Sequence, residues 1–254
     1  MNAEALVSDI ALRMERMLAV DALIAAVEQR DMVAARELAN SPAVRSAFGA
    51  EIWTRLEVLA CLANSGCPEL VEEAIATLRA EPFLATTQFG GGGTLLHGAA
   101  AAWNVEFASI LLELGSDPNL PNGAGHPPLY FAGNRMPLRK GVCDERAETL
   151  IRLFCQYGAN LNAAEGVKFC TPLHMAARRG NSDLARALIE HGASIEARDS
   201  NGETPLRRAV NCSQPAVARV LIAAGADPDS RCKRGRTPWD AARTAEMRSI
   251  LTCG

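Results

Sequence analysis

Apolar and polar positions between residues 171 and 192 follow a pattern that predicts two short helices joined by a tight turn. In both halves the apolar residues recur at helical spacing, which places them along one helix face. Thr171 has a hydroxyl that caps a helix start, and Pro172 suits the first helical position, where its missing N–H costs nothing. Gly180 and Gly192 follow the two helices and suit left-handed helix ends. A unit this small cannot bury its own apolar face, so it requires neighbours.

The same unit recurs along the C-terminal two thirds of the chain. Its capping tetrapeptides start 33, 44, 33 and 33 residues apart. The five starts are Thr94, Pro127, Thr171, Thr204 and Thr237. Polar stretches rich in Asp, Asn, Gly and Pro separate the units, and such compositions suit tight turns. The chain therefore contains a tandem array with units near 94–126, 127–170, 171–203, 204–236 and 237–254, of which the shortened last unit is expected to cap the array and complete the chain.

The 33-residue period, the Thr-Pro-Leu-His tetrapeptide and the turns between units resemble the ankyrin repeat. The resemblance covers residues 91–254 and extends more weakly to 53–90. It implies an all-α repeat solenoid of stacked helix pairs with β-hairpin fingers along one edge. It also implies a module that binds another protein through the fingers and the concave face of the first helices. His97 and His174 end their tetrapeptides, where the resemblance implies hydrogen bonds between neighbouring loops. The fold alone assigns no chemistry.

Residues 1–90 have helical periodicity without the capping tetrapeptide, which predicts a helical N-terminal capping region or degenerate repeats. One helix is expected from Glu69 to about Arg79. The run from Gly90 to Gly93 predicts a loop, because it lacks the strand and the motif of a phosphate-binding loop. The alternative function is a regulatory array attached to a small enzymatic domain in residues 1–90. That segment has no histidine and no recognisable acid–base or metal-binding group of residues, which disfavours the alternative.

Composition narrows the class of protein further. Hydrophobic residues make up 48% of the chain and aromatic residues only 5%, which favours close, alanine-rich helix packing. No apolar run is long enough to span a membrane, and the N-terminus lacks the features of a signal peptide. A cytoplasmic location is therefore expected, with secretion by a signal-independent route left open. The 8 cysteines form no C-x-x-C pair, which favours reduced thiols over a metal site. No cofactor, metal or catalytic residue is predicted.

Charge is distributed unevenly between the two parts of the chain. Residues 168–254 contain 14 Lys and Arg against 9 Asp and Glu, whereas residues 1–167 contain 12 against 20. The basic part indicates either a solvated basic face or a partner protein with an acidic surface. Nucleic acid is disfavoured, because aromatic residues for base stacking are not interleaved with the basic ones.

Two departures from the repeat predict further contact residues. Eleven extra residues, Asn134 to Asp144, lengthen the turn inside the second unit and form either a neutral loop or a partner contact. Trp103 occupies the position of the glycine that follows the first helix of a unit. Its ring is expected either to pack on the preceding helical region or to be exposed as a binding anchor. The candidate contact residues, chosen by their position in the repeat, are Trp103, His126, Phe131, Arg135, Arg139, Lys140, Met175, Arg178, Arg198, Asp199, Asn201, Arg208, Arg231, Lys233, Arg234 and Arg236.

Overall fold

A computed structural model describes residues 68–133, 145–164, 166 and 168–252, together with 32–39 and isolated short stretches between 14 and 63. These residues are mainly helical. The helices are α1 (Met32–Ala39), α2 (Pro68–Ala80), α3 (Phe83–Thr86), α4 (Leu95–Ala102), α5 (Val105–Glu113), α6 (Pro128–Gly133), α7 (Arg146–Gln156), α8 (Pro172–Arg179), α9 (Ser182–Glu190), α10 (Pro205–Asn211), α11 (Pro215–Ala223), α12 (Pro238–Ala241) and α13 (Ala245–Thr252). A short 3₁₀ turn covers Gly90–Gly92, where a loop was predicted.

The helices form two parallel rows. The first helices of successive units, α4, α6, α8, α10 and α12, pack side by side and form the first-helix layer. The second helices, α5, α7, α9, α11 and α13, form the second-helix layer in the same way. Buried leucines and alanines from both layers make one continuous core. This arrangement confirms the predicted all-α repeat solenoid of stacked helix pairs.

The tight turns before the first helices form fingers, here defined as residues 89–93, 122–126, 166–170, 199–203 and 232–236. In the fourth finger the Asp199 N–H donates to the Glu203 carbonyl at 3.0 Å, and the Gly202 N–H donates back to the Asp199 carbonyl at 2.8 Å. The first, second and fifth fingers have the same two hydrogen bonds. Among the described residues, β-bridging is confined to the isolated pair Phe89 and Gly93, so each finger is a hairpin turn without extended strands.

Hydrogen bonds also connect one finger to the next. The N–H of Gly123 donates to the carbonyl oxygen of Gly91 at 2.6 Å. The N–H of Ser200 donates to Lys168 at 2.9 Å, and the N–H of Lys233 donates to Asn201 at 3.0 Å. In each bond the later finger is the donor. These bonds fix the spacing between neighbouring fingers.

The histidines of the tetrapeptides tie each unit to the following finger. In His174 the Nδ1 atom accepts a hydrogen bond from the Thr171 N–H at 3.2 Å, which caps α8. The opposite ring nitrogen, Nε2, lies 2.9 Å from the Glu203 carbonyl oxygen and donates to it. His97 makes the equivalent bonds to Thr94 and to the carbonyl of His126. The expected hydrogen bonds between neighbouring loops are therefore confirmed.

Left-handed residues mark the ends of first helices. Gly180 ends α8 with a φ of 80°, as predicted. Trp103 and Ser213 occupy the same position in their units with φ values of 56° and 55°. A side chain in this conformation costs about 1–2 kcal/mol relative to the right-handed region. Phe169, with a φ of 49°, likewise occupies the finger position that Gly202 holds in the next unit.

The described residues include only part of the N-terminal region, so only some of the predictions for it can be compared with the structure. The helix expected from Glu69 to Arg79 is α2, which packs against α5 and extends the second-helix layer by one helix. Leu59 and Ala63 are buried. The division at residue 90, between an N-terminal region and the array, stays a prediction. No helix among the described residues has the length and hydropathy needed to cross a bilayer.

Candidate protein-binding surface

The fingers and the exposed side of the first-helix layer form one surface, which we call the finger face. Exposed side chains on this face include those of Arg178, Asn201, Lys233, Arg234 and Arg236, all predicted contact residues. The second-helix layer covers the opposite side of the array. The repeat thus brings side chains from separate units to the same side of the molecule.

Three predicted contact residues are instead structural. Trp103 is only 3% exposed, and its indole N–H donates to the carbonyl of Ala132 at 3.0 Å, which joins α4 to the following unit. Met175 is also 3% exposed and packs where Gly133 has no side chain, since a Cβ there would lie 2.8 Å from the Met175 Cβ. Asp199 is 5% exposed. Buried side chains offer a partner no surface, so we remove these residues from the candidate set.

Asp199 organises the fourth finger from within. One carboxylate oxygen accepts the N–H groups of Asn201 and Glu203 at 2.8 and 2.9 Å. The other oxygen accepts a hydrogen bond from the guanidinium of Arg208. Arg208 also lies 3.6 Å from a carboxylate oxygen of Glu203. Arg208 is therefore held by two acidic side chains at the finger face and is only partly available to a partner.

Arg198 and Arg231 stabilise the last two fingers through main-chain carbonyl groups. The Nη1 atom of Arg198 donates to the carbonyls of Gly202 and Arg231, the latter at 2.7 Å. Arg231 donates to the Gly235 carbonyl at 2.8 Å. Both side chains remain exposed, so they hold the fingers in place while contributing positive charge to the finger face.

An aromatic cluster lies at the second finger. The His126 and Tyr130 rings are stacked with centroids 3.9 Å apart, and Phe131 meets Tyr130 edge to face at 5.6 Å. Gly166 lies against His126, because a Cβ at Gly166 would approach the ring to 2.5 Å. Burial lowers the pKa of His126. His126 and Phe131 are half-buried, so each offers a partner only part of its ring.

Phe169, which the sequence analysis did not select, is the most exposed aromatic side chain at the fingers among the described residues. It is 53% exposed and has a left-handed backbone. Aligning its unit with the next places Phe169 opposite Gly202, two residues before the capping threonine. That mismatch between a large side chain and a glycine position is the signal that sequence reasoning missed.

The basic residues of the last finger are not paired internally. Among the described residues, no carboxylate lies within ion-pair distance of Lys233, Arg234 or Arg236, or of Arg178 at the end of α8. At the first position of this finger, burial raises the pKa of the Cys232 thiol, but the N–H groups of Arg234 and Arg236 lower it below its ordinary value. The remaining predicted contacts, Arg135, Arg139 and Lys140, lie outside the described residues. The insertion that contains them falls between α6 and α7, the two helices of one unit.

The described residues contain no group of three or more His, Cys, Asp or Glu side chains that could hold a metal ion.

Comparison with known proteins identifies the family. A family model of ankyrin repeats in three copies matches residues 138–232, and a model of the single ankyrin repeat matches residues 91–123. Cyclin-dependent kinase 4 inhibitor B of Bos taurus is 34% identical over 113 residues, which are 44% of this chain and 78% of that protein. Cyclin-dependent kinase inhibitor 2A of Monodelphis domestica is 33% identical over 43% of this chain and 58% of that protein.

A larger relative matches this chain over a small part of its own length. The protein named "Putative palmitoyltransferase ZDHHC13" of Danio rerio is 33% identical over 125 residues, which are 49% of this chain and 18% of that protein. The match thus leaves most of the larger protein uncovered. Together with the stacked helix pairs and the histidine bonds between units, these matches show that the chain belongs to the ankyrin-repeat family.

Proposed function

We propose that this protein is a binding module that captures a partner protein through its finger face, and that the partner presents an acidic surface there. The observation that carries the proposal is the set of exposed basic side chains on that face that have no acidic partner among the described residues. Its members are Arg178, Lys233, Arg234 and Arg236. Exposed unpaired cations cost little in the free protein and steer an oppositely charged surface into contact.

The rigidity of the fingers supports the same function. The first, second, fourth and fifth hairpins are each closed by two main-chain hydrogen bonds, and main-chain bonds link three pairs of neighbouring fingers. Binding to a preformed surface loses less conformational entropy than binding that must order a loop. More of the free energy of the contacts at the finger face therefore contributes to affinity, because little is needed to order the fingers.

The relatives are consistent with a protein partner. Two of them are named as inhibitors of cyclin-dependent kinases, and one of those has 78% of its length matched by this chain. The acidic surface of the partner, the cytoplasmic location and the non-enzymatic character of residues 1–90 stay predictions. The palmitoyltransferase relative matches over only 18% of its length, which gives no support for that activity in this chain.

Affinity capture from the native lysate tests the proposal. The variant reverses three charges of the last finger, Lys233→Glu, Arg234→Glu and Arg236→Glu. A matched control makes the same charge change on exposed arginines of the second-helix layer, Arg152→Glu, Arg186→Glu and Arg219→Glu. Arg219→Glu removes an exposed ion pair with Glu246, and such a pair contributes little to stability.

We expect the wild type and the control to retain a protein that the finger variant loses. Retention of the same protein by all three would overturn the finger-face assignment. A failure of every form to retain a protein would count against the binding function itself.

A further inference from the structure

A cavity of about 300 Å³ opens between the last two fingers, above the first helix of their shared unit, α10. Arg207 and Asn211 of α10 form one wall, and Lys233, Arg234 and Arg236 of the fifth finger form another. Asn201 closes the side formed by the fourth finger. The cavity therefore combines a ring of positive charge with two side-chain amides.

Basic side chains outnumber acidic ones among the described residues that line this cavity. Among the described lining residues, Glu203 is the acidic member, and Arg207 Nε donates to it at 3.1 Å while Asn211 Nδ2 donates at 3.2 Å. Glu203 and Arg207 thus neutralise one another. Within the part of the chain that the structure describes, Lys233, Arg234 and Arg236 have no carboxylate at ion-pair distance, which leaves three unpaired cations among the residues that line the cavity.

The backbone around the cavity is held in a fixed position. The Lys233 N–H donates to the Asn201 carbonyl at 3.0 Å, which joins the two fingers at the rim. Gly202 lies close to Lys233, because a Cβ there would come within 3.1 Å of the Lys233 main-chain nitrogen and Cγ atom. The cavity is therefore present before any ligand arrives.

We propose that this cavity is the subsite that receives an acidic side chain, Asp or Glu, from an extended segment of the partner protein. The inference deepens the proposed function and rests on it. Guanidinium groups bind carboxylates through charge-assisted hydrogen bonds, as the Nε–H of Arg207 already does with Glu203 inside the cavity. The cations at the rim then contact further acidic residues along the same segment.

The shape of the site favours a peptide over a small free anion. A volume of about 300 Å³ lies at the lower end of the range for ligand-sized pockets, and this exceeds what a single phosphate fills. Four basic side chains line the cavity, those of Arg207, Lys233, Arg234 and Arg236, and this number suits a run of carboxylates. The amide of Asn201 at the rim adds a donor and an acceptor for the main chain of the bound segment.

The test measures the binding of a fluorescent oligoglutamate peptide by anisotropy, with oligoglutamine as the uncharged comparison. The test variant is the double change Arg234→Gln and Arg236→Gln, both exposed residues whose removal leaves the core intact. The matched control is Arg152→Gln and Arg186→Gln on the second-helix layer, with the same change in net charge. Circular dichroism confirms that each variant is folded.

We expect the wild type and the control to bind oligoglutamate, and the double variant to lose at least about tenfold in affinity. Equal affinity of the double variant and the control would overturn the subsite, since only general charge attraction would remain. Equal affinity for oligoglutamate and oligoglutamine would also overturn it. Complete displacement of the peptide by low concentrations of inorganic phosphate would reassign the cavity to a free anion.

The failure of this inference is separable from the failure of the proposed function. If a cellular protein is captured through the finger face but oligoglutamate does not bind, the subsite is wrong and the binding module stands. If oligoglutamate binds at the cavity but no protein is captured, the acidic subsite stands without the proposed partner.

Discussion

The guanidinium of Arg207 donates a hydrogen bond to the carbonyl oxygen of Thr237, which begins the following unit. Arg207 occupies the tetrapeptide position of His97 and His174, whose rings bond the carbonyls of the following fingers. A different side chain therefore performs the same connection between units. Unlike the histidines, Arg207 also carries a charge, which Glu203 neutralises at 3.1 Å.

Replacing Arg207 with alanine should destabilise the array. The side chain is 6% exposed, and its loss leaves the Thr237 carbonyl without its donor and Glu203 with fewer donors. We expect the free energy of unfolding to fall by about 2 kcal/mol or more, measured by urea denaturation. Arg243→Ala, at an exposed arginine, is the control and should change stability little. Equal losses in the two variants would contradict this role for Arg207.

The stability of the array should decrease as the pH falls below neutrality. Burial lowers the pKa of His97 and of His174 despite the hydrogen bonds that each makes to a carbonyl. In the unfolded chain these histidines bind protons near about pH 6.5, while in the folded chain they stay neutral to lower pH. The unfolded state therefore takes up more protons, and the free energy of unfolding drops as the pH falls through about 6.5.

Urea denaturation at about pH 7.5 and about pH 5.5 measures this effect, because most carboxylates stay ionised over that interval. The double variant His97→Gln and His174→Gln should be less stable at both pH values but should depend less steeply on pH. A wild-type stability that is constant or higher at the acidic pH would refute the expectation.

Changing Ser213 to glycine should stabilise the protein. Ser213 has a φ of 55° at a helix end where Gly180 has the same role. Glycine relieves the strain of the left-handed backbone but also gives the unfolded chain more conformational freedom. The net gain in the free energy of unfolding is about 0.5–1 kcal/mol. The melting temperature reports the gain. Ser213→Ala keeps a Cβ and should show none, so an equal rise in both variants would point to another cause.

Changing Cys232 to aspartate should strengthen the fifth finger. In the fourth finger the carboxylate of Asp199 accepts two N–H groups at 2.8 and 2.9 Å, whereas Cys232 offers a thiol, which is a weak acceptor. Charge-assisted hydrogen bonds should add about 1 kcal/mol, visible as a higher melting temperature. Cys232→Ala provides the comparison. If the melting temperature of the aspartate variant is no higher than that of the alanine variant, a carboxylate at this position does not stabilise the finger.

The repeat architecture could be predicted because its determinants are local and periodic. Thr171, Pro172 and Gly180 each act within a few residues of their own helix, so their pattern alone locates α8. The burial of Trp103 could not be derived in this way, because its hydrogen-bond partner, Ala132, belongs to another unit. The pairing of Arg208 with Asp199 is a similar case, since it joins a helix to a finger nine positions away along the chain. Contacts between units depend on how the units stack in three dimensions, so the sequence of one repeat does not predict them.

The main-chain bonds between fingers give the row a direction. Each N–H of a later finger points to a carbonyl of the earlier one, as Ser200 does to Lys168 and Lys233 does to Asn201. By the same spacing the next acceptor in the row is the carbonyl oxygen of Arg234, which accepts no main-chain hydrogen bond from the described residues. This carbonyl oxygen carries a partial negative charge at the end of the row that also holds the basic side chains of the fifth finger. A strand or loop that extends the row would pair with this carbonyl through an amide N–H.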